Sequence, residues 1–244
     1  MPRSRTNYIV EARWNDPKKV QYRTDAVIAP YQQFFAQSIP EDKQYWTLCG
    51  AHYNEQGPFT TGSEFLQATE NIIAPHQFHG IDREAVIIDT NRKIHPEAHW
   101  HCDDLLEVVK KAILQGSFNP AIFHFDGVNE TEFTAEYVAR LFRIIDDFVP
   151  DPMLLVTTLL MKNPYRASVV KHGDEFIGEL LKYYEPCKHW RLLNTYYWYT
   201  GTGVRSNTIM GSFAWIKQQH DATNIQRGAF QFTVSQKEIT DFLV

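Results

Sequence analysis

A chain of 244 residues, 43% hydrophobic and 22% charged, is long enough to bury the core of one α/β domain with small additions. A net charge of −5 forces no broad basic field, which argues against tight non-specific binding of nucleic acid. Cys49, Cys102 and Cys187 form neither a zinc spacing nor a disulfide framework, no apolar run is long enough to span a membrane, and MPRSRTNYIVEARW has no signal-peptide core, so a soluble, cytoplasmic protein is expected.

Residues 7–29 read as an extended, partly paired preamble with a turn at Asn15-Asp16-Pro17, and 30–39 as a short helix. QYWTLCG (44–50) is a buried strand stopped by Gly50. The loop AHYNEQGPFTTG leads to a helix over 63–73, opened by a capping box at Thr61-Gly62-Ser63-Glu64. FHGID is the second strand, REAVIIDTNRKI a helix and AHWHCDD the third strand. LLEVVKKAILQG follows as an amphipathic helix closed by Gly116. AIFHFDG (121–127) is the fourth strand. The helix over 134–149 carries apolar residues at 138, 141, 142, 145 and 148. PMLLVTTLLM (152–161) is apolar without alternation, as a strand covered on both faces is. A helix over 174–184 precedes WRLLNTYYWYT and NTIMGSFAWIK, which flank GTGVRS as a β-hairpin. A possible strand (FQFTV) and a short helix end the chain.

Strands alternating with helices imply right-handed crossovers and a parallel sheet covered on both faces. The closing hairpin adds one antiparallel strand. Ligands of such sheets bind beyond the carboxyl ends of the strands. Gly50, Asp82, Asp103, Asp104 and Asp126 all fall there. Carboxylates are acceptor-only partners, suited to the hydroxyls of a ribose and to an exocyclic amine. Asp also caps helices, and that plainer role competes at each position.

Seven strands, six parallel and one antiparallel, resemble the Rossmann-like fold of class I S-adenosylmethionine-dependent methyltransferases over residues 44–217. Residues 1–43 and 218–244 are then extensions. The resemblance rests on GID, on HCDD, on Asn91, Pro96 and Ala98 between them, and on FDG. It implies S-adenosylmethionine as cofactor, with Asp82 on the ribose, Asp103 or its neighbour Asp104 on the adenine, and Gly50, Gly62 and Ser63 around the methionine part. Asp126 would line the transfer site. The acceptor would be an O or N atom, on a small molecule rather than a nucleic acid. The loop after the first strand departs from the family's compact glycine motif, since Gly50, Gly57 and Gly62 are widely spaced. A methyltransferase-like domain that binds a nucleoside or a partner without catalysis therefore stands as an alternative. A second alternative is a metal-dependent hydrolase using His99-x-His101-x-Asp103, three residues on one strand face.

Overall fold

The structure, a computed structural model, describes residues 17–49, 51–52, 60–61, 63–126, 131–149, 151–161, 190–199 and 209–217. The chain divides into two compact units, 1–119 and 120–244.

The first unit opens with helix α1 (Pro17–Arg23), which passes through a π-helical turn (Thr24–Ile28) into α2 (Ala29–Phe34). This overturns the extended preamble over 17–29, while 7–16 lie outside the described residues. Pro17 sits at the first helical position, where its missing N–H costs nothing. Tyr22, Ala26, Val27, Pro30 and Tyr31 are buried and fall at helical spacing. The helix also stops at Phe34, short of the expected residue 39. The wide turn is held from outside: Gln67 Nε2 donates to the Val20 carbonyl at 2.8 Å and to Thr24 Oγ1 at 2.7 Å.

Strand β1 (Gln44–Leu48) is followed by two short antiparallel strands, β2 (Ala51–His52) and β3 (Thr60–Thr61), and by α3 (Ser63–Asn71). Instead of serving only as a capping-box acid, Glu64 is buried, accepts from Tyr45 Oη at 2.8 Å and pairs with the buried Arg23 at 3.5 Å. Burial and the Glu64 carboxylate push the Tyr45 phenol well up. β4 (Phe78–Asp82), α4 (Ala85–Ile94), β5 (His99–Cys102) and α5 (Leu105–Leu114) complete the unit. β4 pairs parallel with β1 and β5. Gly80 is required by packing: a Cβ there would lie 2.6 Å from ring carbons of Trp100 and 3.0 Å from Cys49 Sγ. α5 ends at Gly116, whose φ of 65° is readily adopted only without a side chain.

The second unit contains β6 (Pro120–Asp126), α6 (Thr131–Phe148), β7 (Met153–Met161), β8 (Trp190–Tyr199) and β9 (Ile209–Lys217). β6 and β7 are parallel, and β9 runs antiparallel to both β7 and β8, as the expected hairpin requires. Val138, Leu141, Phe142 and Ile145 of α6 are buried, whereas Phe148 is exposed and Val149 takes the inward position. The expected helix over 174–184, the turn GTGVRS and the tail elements lie outside the described residues.

The seven long strands follow the order β5-β4-β1-β6-β7-β9-β8. This is the mixed α/β sheet, with a terminal antiparallel hairpin, that the resemblance to class I methyltransferases implies.

Candidate functional site

The carboxyl ends of β1, β4 and β5 are in register. Leu48 pairs with Ile81, and the Cys49 N–H continues the ladder to the Ile81 carbonyl at 2.9 Å. Asp82 is paired with Cys102. Register partners in a parallel sheet project to one face, so Asp82 lies between Cys49 and Cys102 on that face. Cys49 is buried and its thiol is pushed well up in pKa, chiefly by desolvation. Cys102 is exposed.

The three acids of this edge are held differently. Asp82 accepts the Glu84 backbone N–H at 2.8 Å, an Asx turn that starts the passage into α4. Partial burial raises its pKa, and the backbone N–H groups of Glu84 and Arg83 offset that in part. Among the described residues no cation pairs with it. Asp103 accepts from Lys111 Nζ at 2.5 Å, which holds its carboxyl below the usual range, and from the Asp104 N–H at 2.8 Å. Asp104 caps α5 by accepting the Leu106 N–H at 2.9 Å and forms an ion pair with Arg83. The plainer capping role is thus realised at Asp104. The sequence reading missed Arg83, although its place directly after Asp82 was a visible signal.

Of the other expected site residues, Ser63 opens α3, and Gly50 and Gly62 lie outside the described residues. Asp126 ends β6 in the second unit.

The opposite face of the same strands carries His79, His99 and His101. Trp46 stacks on His79 at 4.2 Å and His79 on His99 at 4.5 Å between ring centroids. His79 Nδ1 and His101 Nε2 share a hydrogen bond of 3.1 Å. Burial holds both imidazoles neutral, pulling His79 down to about 2 and His101 to about 4. His99, His101 and Asp103 therefore do not converge: one ring is stacked, one is bonded to His79, and the carboxylate is turned to Lys111. Among the described residues no three His, Cys, Asp or Glu side chains are arranged to hold a metal ion. Nor is any helix among them long and apolar enough to cross a membrane.

No protein-family model and no curated protein matches the sequence. Solved structures do match. An O-methyltransferase from Bacillus cereus, solved with S-adenosylhomocysteine, superposes with a TM-score of 0.52 at 7% identity, over 85% of this chain and 86% of that one. M. jannaschii TYW2, solved with S-adenosylmethionine, gives 0.47 at 9% identity, over 82% and 75% of the two chains. A Streptococcus mutans protein assigned to the S-adenosylmethionine-dependent methyltransferases gives 0.43 at 10% identity over 62% of this chain, which spans only 40% of that protein's length. At such identities the likeness is one of fold.

Proposed function

We propose that the chain is an S-adenosylmethionine-dependent methyltransferase acting on an O or N atom of a small-molecule acceptor. The observation that carries the reading is Asp82: a half-buried carboxylate at the carboxyl end of the middle strand of β1, β4 and β5, oriented by backbone N–H groups and paired with no cation among the described residues. Such a group suits a neutral diol, because the ribose hydroxyls donate and the carboxylate only accepts. The fold shared with the B. cereus enzyme supports the same cofactor.

S-adenosylmethionine, when bound, supplies an electrophilic methyl group on a sulfonium. The chain's own work is then alignment. Asp82 orients the ribose. Ser63 at the start of α3, with Gly50 and Gly62, shapes the methionine end. Asp126 at the end of β6 is the candidate to hold the proton that an oxygen or nitrogen acceptor gives up.

The test is calorimetry with S-adenosylhomocysteine. The wild-type chain binds, and Asp82→Ala weakens binding by about 10- to 100-fold, as expected for a hydrogen-bonded charged acceptor. Absence of wild-type binding discards the cofactor assignment. Binding with no methyl transfer to any acceptor identifies a non-catalytic nucleoside-binding domain instead.

A further inference from the structure

We propose that Arg23 and Glu64 are positioning residues: their buried ion pair fastens α1 to the first turn of α3 and so fixes the helix start at Ser63 for the methionine end of the cofactor. The proposal rests on the cofactor reading above and extends it to the N-terminal helices.

Three placements lead there. Arg23 is the last residue of α1 and Glu64 the second of α3. Their side chains are 4% and 8% exposed, and Arg23 Nε lies 3.5 Å from Glu64 Oε2. The other carboxylate oxygen accepts from Tyr45 Oη of β1 at 2.8 Å, so one acid joins α1, α3 and β1. This junction sits on the face of the sheet that carries Asp82. Tyr45 stacks on Phe78 at 5.6 Å between ring centroids, Phe65 of α3 meets Phe78 edge-on at 5.1 Å, and Phe78 and Asp82 alternate onto the same face of β4. Burial, and then the charges of Asp82 and Glu64, push the Cys49 thiol up, so both carboxylates act at the carboxyl end of β1. Lastly, α1 is held to α3 a second time. Gln67 donates to the Val20 carbonyl and to Thr24 Oγ1 where α1 passes into the π-helical turn, a widening common at functional sites. A buried ion pair adds little stability over an apolar pair of the same shape. What this one supplies is the position of α3.

The test separates stability from affinity. Arg23→Met alone leaves the Glu64 charge buried and unmatched, and should lower the melting temperature by about 10 °C. The double variant Arg23→Met/Glu64→Gln removes both charges, keeps an acceptor for Tyr45 and should melt within about 5 °C of the wild type. Its affinity for S-adenosylhomocysteine, by calorimetry, should nevertheless stay about tenfold weaker, because the start of α3 is no longer fixed. Hydrogen exchange supplies the second readout. Saturating S-adenosylhomocysteine should slow exchange over residues 78–82 in both proteins, but over residues 17–34 only in the wild type. The inference is overturned if the double variant binds within about twofold of the wild type, or if the ligand leaves exchange over 17–34 unchanged in the wild type. The second criterion decides alone if the double variant does not fold. Absence of wild-type binding overturns the cofactor reading itself, and this inference with it.

Discussion

Asp82 and Cys102 are register partners across β4 and β5, one a half-buried carboxylate and the other an exposed thiol. A ligand that engages Asp82 must lie against Cys102. Saturating S-adenosylhomocysteine should therefore slow alkylation of Cys102 by iodoacetamide, followed by peptide mass spectrometry. Cys49, buried and with its thiolate disfavoured, should stay unmodified in the folded protein. In Asp82→Ala the protection should disappear. Equal alkylation rates with and without ligand would separate Asp82 from the binding site.

The buried imidazoles predict acid sensitivity. His79 and His101 are neutral in the fold, with pKa values near 2 and 4, against about 6.5 when unfolded. Below about pH 6.5 the unfolded chain takes up protons that the fold refuses, so stability falls as pH drops from there toward 4. The slope is at most about 1.4 kcal/mol per pH unit for each histidine. Urea unfolding at pH 7.5, 6 and 5 measures it. Replacing His101 with Leu should flatten the dependence, and an unchanged slope would show that other groups set it.

Gly80 packs against the Trp100 ring, which is itself fixed by its Nε1 donating to the His95 carbonyl at 2.8 Å. Gly80→Ala forces a shift in that ring or in the strand and should cost about 1–3 kcal/mol. In a Trp100→Leu background the same substitution should cost clearly less. A double-mutant cycle reads the coupling, and additive effects would rule out the steric account.

Lys217 is wholly buried in β9. Its ammonium donates to the Ile145 carbonyl at 3.1 Å and to the Val149 carbonyl, and lies 3.5 Å from Asp146, which also accepts from Trp190 Nε1 at 2.9 Å. One side chain thus satisfies the carboxyl end of α6 and neutralises Asp146. Lys217→Met keeps the stem but leaves these groups unmatched, and should cost about 3–5 kcal/mol in urea unfolding. A loss below about 1 kcal/mol would mean that water replaces the ammonium.

Much of the fold was legible because local pattern and tertiary role agree. FHGID, LLEVVKKAILQG and PMLLVTTLLM each carry the periodicity or apolar run of the element they form. The helix beginning at Pro17 was missed: Asn15-Asp16-Pro17 suits a turn as well as a helix start, and a π-helical turn at Thr24–Ile28 interrupts the α-helical run. Its stabilising partner, Gln67, lies 43 residues beyond Thr24 in sequence.

At the candidate site, the chain by itself determined which strand ends carry carboxylates, since strand boundaries follow from short-range hydrophobicity and turn residues. Only the tertiary structure decided what each carboxylate does. Asp103 and Asp104 follow one another in sequence, yet Lys111 engages the first while Arg83, from the neighbouring strand end, engages the second. Asp82, aligned with Cys102, meets only backbone donors and no cation among the described residues. Whether a carboxylate is open to a ligand depends on which cation can reach it, and that is set by register and helix placement rather than by the residue's own neighbours in the chain. The same holds for His99 and His101. Their spacing puts them on one face, but the ring of Trp46 and the imidazole of His79, brought alongside by strand pairing, make that face a stacked aromatic layer.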